Sequence, residues 1–187
     1  AFRDAAFQVV SILTTTGFVS ADYTAWTPAI TLLFFILLFI GACAGSTSGG
    51  IKIIRHLVFF KNSFLEFKRL LHPKSLIRIK IDKQLVAPRI LTHILVFLLL
   101  YMILFVAGSV TMAVILADFE RPLLTAIGAV ATSLGNVGPG IGQVGPMDNF
   151  ANIPDSGKWV LSFLMLLGRL EVFTLLILFI PYFWRMR

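Results

Sequence analysis

Apolar residues fall in long blocks along this chain rather than at the short periods of soluble helices or strands. Three blocks dominate, at residues 26–44, 90–117 and 159–184. Each reaches the roughly 20 residues that carry an α-helix across a hydrocarbon core about 30 Å thick, so each predicts a transmembrane helix. Trp26, Trp159, Tyr182 and Trp184 stand at block ends, where aromatic rings anchor at the headgroup level. Two further blocks, residues 5–16 and 123–134, are too short to span and too apolar for ordinary loops. They fit re-entrant helices. Each runs into polar, glycine-containing backbone: TTTGF at 14–18 and LGNVGPG at 134–140. Irregular backbone at membrane depth is tolerated only where it is buried in protein or lines a water-filled path.

Composition agrees with this reading. Of 187 residues 58% are hydrophobic and only 13% charged. A soluble domain carries about a quarter charged residues, so a soluble enzyme or nucleic-acid-binding domain is excluded. The net charge of +7 is a matter of placement. Residues 52–89 hold ten Lys/Arg against Glu66 and Asp82, and Arg185 and Arg187 follow the last block. Residues 118–158 hold four acids (Asp118, Glu120, Asp148, Asp155) and two basic residues (Arg121, Lys158). The positive-inside rule then puts 52–89 and the C-terminus in the cytoplasm and 118–158 outside. Twelve of the sixteen basic residues are accounted for by orientation alone, and nucleic acid is not called for. The lone Cys43 makes no internal disulfide and has no metal-site spacing. Residues 1–18 show no Met, basic start or cleavage-site pattern, and the chain reads as a piece of a longer protein.

The order of elements repeats. Placing Gly17 on Gly138 aligns Thr15-Thr16-Gly17 with Asn136-Val137-Gly138 and Ser11 with Thr132. A dehydrated K⁺ ion needs several oxygens at once, which backbone carbonyls supply without a fixed charge. Gly accepts the unusual φ/ψ that aims them, and the C-terminal dipole of a short helix favours a cation. The two loops therefore predict a carbonyl-lined ion filter. The alternative is a non-conducting membrane scaffold whose Gly-rich turns serve close packing.

Three other features bear on chemistry. Gly41-Ala42-Cys43-Ala44-Gly45-Ser46-Thr47-Ser48-Gly49-Gly50, at the inner end of the first block, should break a helix and form a mobile loop below the filter. It is not a phosphate-binding loop, because Ile51 intervenes before Lys52. Gly140–Gly145 matches G-x-G-x-x-G, yet a re-entrant helix precedes it and Pro146 follows, so the match is accidental. Arg169, in LLGRLEVF of the third block, is costly in a membrane and should face a protein interior or an aqueous cavity. Glu171, two residues on, lies on a different helix face and is no natural partner. His56, His72 and His93 show no ligand spacing, and no His/Asp/Glu cluster has metal or acid–base spacing, so an enzyme is not indicated.

In TTTGF (14–18), GACAGSTSGGIK (41–52), SLGNVGPG (133–140) and GRLEVFT (168–174) the sequence resembles the Trk/Ktr/HKT superfamily of K⁺ transporters, and within it the bacterial TrkH type. The resemblance covers essentially the whole chain. It implies an all-α integral membrane protein of M1–P–M2 pore-loop repeats with re-entrant pore helices, about one and a half of four repeats being present. Residues 1–50 would be the pore helix, filter loop and M2 of repeat three with its gate loop. Residues 51–89 would be a basic cytoplasmic segment and 90–187 all of repeat four. Thr15, Thr16, Gly17, Asn136, Val137 and Gly138 would be K⁺ filter positions, residues 41–50 the gate, and Arg169 the M2 arginine near that gate. The resemblance further implies K⁺ as transported ion with no bound cofactor and a homodimer in the inner-membrane bilayer. It also implies a cytosolic nucleotide-binding ring partner of the TrkA type and an N-terminal half that completes the pore.

Overall fold

The computed structural model describes residues 2–43, 45, 46, 49–72, 79–81, 84–170, 172–179 and 181–185. The first helix, α1 (Phe2–Leu13), buries Gln8, Ser11 and Ile12 on one face. An irregular segment leads to α2 (Pro28–Leu37), capped by Thr27, whose side chain accepts from the Ile30 N–H at 3.4 Å. Pro28 at the first helical position loses no bond, because that N–H has no intrahelical partner. Pro88 and Pro122 open α4 (Pro88–Ile115) and α5 (Pro122–Gly135) in the same way.

Between α2 and α4 the chain forms β1 (Ile40–Gly41) and β2 (Ile51–Lys52), a short parallel pair with Ile40 opposite Ile51. They are followed by α3 (Ile53–Leu71) and the antiparallel pair β3 (Lys80–Ile81) and β4 (Gln84–Leu85). After α5 come α6 (Asp155–Arg169), α7 (Val172–Leu178) and α8 (Pro181–Arg185).

The fold is organised around α5. Ala126, Ala129, Val130 and Leu134 pack into a core shared with α4, α6 and α7, built on Phe97, Tyr101, Met112, Leu161, Leu164 and Leu167. Ala131 faces a second core containing Ile12, Tyr23, Phe34 and Leu38 from the N-terminal elements, with Val137 and Ile141 from the segment after α5. Beyond its exposed first turn α5 is buried on most sides and needs small residues wherever backbone approaches it, and Gly128 shows this: a Cβ there would collide with the Ile141 carbonyl oxygen. Both short apolar blocks are thus helices, within a few residues of their predicted bounds.

The three long blocks fared differently. The second is α4, whose most apolar 18 residues have a mean hydropathy of 2.7. Among the described residues it is the single unbroken helix long and apolar enough to cross a membrane. The first block is not one helix over 26–44. It is helical only to Leu37, and ten residues rise about 15 Å, half a bilayer core. Residues 40 and 41 leave the helix to pair with β2, which spends their backbone groups elsewhere. The third block is broken as well: α6 and α7 meet at 113°, and together they pass the length and hydropathy test. The bend falls between Arg169 and Val172, and Pro181 opens α8.

Candidate functional site

The two filter-like loops are built by one hydrogen-bond pattern repeated 121 positions apart. The Thr15 N–H donates to the Ile12 carbonyl at 3.0 Å, and the Asn136 N–H to that of Ser133 at 3.2 Å. Thr16 N–H donates to Ser11 O at 3.0 Å, and Val137 N–H to Thr132 O at 3.1 Å. These nested bonds form a Schellman closure, which requires a left-handed residue just past the helix. Thr15 (φ 55) and Asn136 (φ 53) fill that position, and Gly17 (φ 73) and Gly138 (φ 115) follow two residues later. Asn tolerates this conformation. For β-branched Thr15 it is strained, a condition that persists where the surroundings over-determine it.

That closure leaves a run of free oxygens. Among the described residues the carbonyls of 14–17 and of 136–139 accept no hydrogen bond. Most backbone carbonyls in folded proteins are paired, and at the 121-residue offset the two runs share the positions 15–17 and 136–138. The Thr14 and Thr16 hydroxyls lie 3.1 Å apart beside the first run. Val137 is buried, so its side chain faces the core.

The loops also touch. A Cβ on Gly17 would collide with the Val137 carbonyl oxygen and lie 3.3 Å from Pro139 Cδ, and one on Gly138 would lie 3.8 Å from Gly17 Cα. Behind them, Tyr23 Oη donates to the Gly140 carbonyl at 2.7 Å and its ring stacks on Phe34 at 4.6 Å. Tyr23 is fully buried, and burial, aided by Asp22, pushes its phenol well above the ordinary tyrosine range.

Other elements close on the end of α5. A Cβ on Gly168 of α6 would collide with the Leu134 carbonyl oxygen, and the Asn136 Nδ2 donates to Met165 O at 3.0 Å. Gly135 faces Leu38 O, 2.8 Å from where its Cβ would be. Gly49 rests on Gly135 O (2.5 Å from an added Cβ) and Asn136 Cβ (2.8 Å), and Gly41 on Gly49 O (2.7 Å). Gly49 therefore sits against the base of the second loop, with Gly41 beside it. Within residues 41–50, Gly41 and Gly49 are buried, Ala42, Ser46 and Gly50 half-buried, and Cys43 and Gly45 exposed. Ala44, Thr47 and Ser48 lie outside the described residues, as does Glu171.

Thr15, Thr16, Gly17, Asn136, Val137 and Gly138 are accordingly brought together, and 41–50 is brought to them. Arg169 is not enclosed. It ends α6, is exposed, and among the described residues forms no hydrogen bond or ion pair. At a helix C-terminus its charge complements the dipole. The G-x-G-x-x-G match at 140–145 is an irregular turn closed by Gly140 N–H to Val144 O at 2.7 Å. Sequence reasoning missed the Tyr23–Gly140 tie, for which no local signal exists. It also missed the role of Gly168, although that glycine opens a quoted motif.

Known proteins place this architecture. The profile of the TrkH cation transport proteins matches residues 1–185. The chain belongs to that family. It is therefore of an all-α membrane-transporter fold, and its relatives are uptake proteins rather than enzymes. The Trk system potassium uptake protein TrkH of Salmonella typhimurium is 44% identical over 183 residues, covering 98% of this chain and 37% of that protein. The Halomonas elongata protein of the same name is 40% identical over 194 residues, with the same two coverages, 98% and 37%. The crystal structure of the potassium transporter TrkH from Vibrio parahaemolyticus superposes with a TM-score of 0.86 at 40% identity, covering 98% of this chain and 38% of that one. This chain thus spans little more than a third of the proteins it matches.

Proposed function

We propose that this chain forms two of the filter segments and the gate of a K⁺-translocating protein of the bacterial inner membrane. The observation that carries the reading is the pair of loops with matched closure, carbonyls at 15–17 and 136–138 that accept no hydrogen bond among the described residues, and mutual contact at Gly17. Carbonyl oxygens from both loops would replace part of the ion's hydration shell, and pore-helix C-termini would favour the cation. The 121-residue offset supports the division that the family resemblance implies, into repeat three (1–50), a basic cytoplasmic segment (51–89) and repeat four (90–187). Two further quarters of the ring would come from the rest of the protein, consistent with a chain that covers 37% of its relatives. Residues 41–50, seated on Gly135 and Asn136, would be the movable barrier, with Arg169 on the same side of α5 through Gly168. A homodimer and a cytosolic nucleotide-binding ring of the TrkA type complete the proposed assembly.

The test is Gly17→Ser and Gly138→Ser in the full-length protein, with K⁺, Rb⁺ and Na⁺ flux compared in liposomes. Each substitution should depress K⁺ flux and its preference over Na⁺. Unchanged flux and selectivity in both variants would sink the filter. Deleting residues 42–48 should raise flux; unchanged or reduced flux at normal expression would count against a gate there.

A further inference from the structure

The two loops close alike but are held from behind in opposite ways. In the first, α1 donates to carbonyls of the segment leaving the loop: Ser11 Oγ to Phe18 O at 2.7 Å and Gln8 Nε2 to Ala21 O at 2.7 Å. In the second, α5 accepts from N–H groups instead: Gly138 N–H to Thr132 Oγ1 at 2.9 Å and Gln143 N–H to Thr125 Oγ1 at 3.2 Å. Ser11 and Thr132 are equivalent at the 121-residue offset, yet their hydroxyls do opposite work. Phe18 O is therefore spoken for, while the carbonyl of its counterpart Pro139 accepts no hydrogen bond among the described residues. Gln8 is fully buried and leaves its own Oε1 without a partner. An apolar side chain would avoid that desolvation cost, and its counterpart Ala129 does avoid it. What Gln8 gains in exchange is the grip on Ala21 O.

We propose that Ser11 and Gln8 are positioning residues that draw the Phe18 and Ala21 carbonyls back from the ion path, so that the level beyond the filter glycines takes its oxygen from Pro139 of the second loop and none from the first. This rests on the filter reading above. It makes the outer level of the path unequal between the two quarters, with fewer oxygens for a dehydrated cation than four equal loops would give. An ion there keeps more of its water, which weakens discrimination by size at that level.

Ser11→Ala in the full-length protein releases Phe18 O, and Gln8→Met releases Ala21 O and removes the unpartnered Gln8 Oε1. Flux ratios for K⁺, Rb⁺ and Na⁺ in liposomes should shift by about two- to tenfold in Ser11→Ala, the range one net hydrogen bond corresponds to. Ser11→Thr, which keeps the hydroxyl, should restore the original ratios, an outcome that loss of packing alone does not produce. If Ser11→Ala fails to assemble, Gln8→Met carries the same expectation. Gly17→Ser runs beside them. Perturbed ratios in Gly17→Ser with unchanged ratios in Ser11→Ala and Gln8→Met would overturn the positioning role alone. Unchanged ratios in all three would overturn the filter reading with it.

Discussion

Gly168→Ala tests the closest backbone approach at a described glycine. A methyl group there would meet the Leu134 carbonyl oxygen, which is backbone and has no rotamer to yield, and would lie 2.9 Å from Asn136 Nδ2. α6 must then move off α5 at this point. Overpacking of this kind costs about 1–3 kcal/mol. The Asn136–Met165 bond spans the same gap at 3.0 Å, and losing it adds about 0.5–1.5 kcal/mol. Against this, Ala recovers up to about 1 kcal/mol of helix propensity, less so close to the helix end. The net expectation is destabilisation by about 1–3 kcal/mol, which lowers the thermal midpoint by about 2–4 °C per kcal/mol for a unit of this size. The assay is survival of the monodisperse detergent-solubilised full-length protein after heating. Gly45→Ala is the control, because no described atom lies within 4 Å of an added Cβ there. Equal heat resistance of Gly168→Ala, Gly45→Ala and the parent would refute the claimed contact between α6 and the base of the second loop.

Other expectations follow from the same geometry. Thr15→Gly relieves a β-branched residue at φ 55 and should raise the thermal midpoint, by an amount corresponding to about 1–2 kcal/mol; a lower midpoint would mean the side chain contributes more than the strain costs. Tyr23→Phe orphans the buried Gly140 carbonyl and should cost about 1–3 kcal/mol, read by the same heating assay. Because burial raises the folded-state pKa of Tyr23, its contribution is complete below the ordinary value of about 10 and declines above it as the unfolded chain ionises first. Tyr23→Phe should therefore make the loss of stability above pH 10 shallower, and an identical alkaline limb in the two proteins would contradict the burial.

How far the sequence carried the fold depended on where backbone hydrogen bonds end up. The pore-type helices were legible because blocks 5–16 and 123–134 are apolar, of fixed length, and bounded by Gly-containing polar backbone. The break after Leu37 was not legible. LLFFILLFIG reads as one unbroken span, and the partners that divert Ile40 and Gly41 are eleven residues away at Ile51 and Lys52. Pro181 did advertise the start of α8, but the third block was long enough to outweigh it. In the candidate site, the alignment of Thr15-Thr16-Gly17 with Asn136-Val137-Gly138 had little identity to support it. Its physical basis is the shared closure, and that closure uses main-chain atoms, which leave only a faint trace in side-chain identity. The opposed grips of Ser11 and Thr132 were beyond any one-dimensional reading, since a hydroxyl both donates and accepts.

The meeting of Gly17 with Val137 has a consequence for anyone who would engineer this protein. With only hydrogen between the two backbones, neither loop is an independent module. Any side chain introduced at Gly17 displaces the peptide of the other quarter, so a change meant to tune one wall of the path moves two. Substitutions at 17 and at 137–139 should accordingly be non-additive. A library that varies one loop at a time would discard its best members, because the tolerated combinations exist only as pairs.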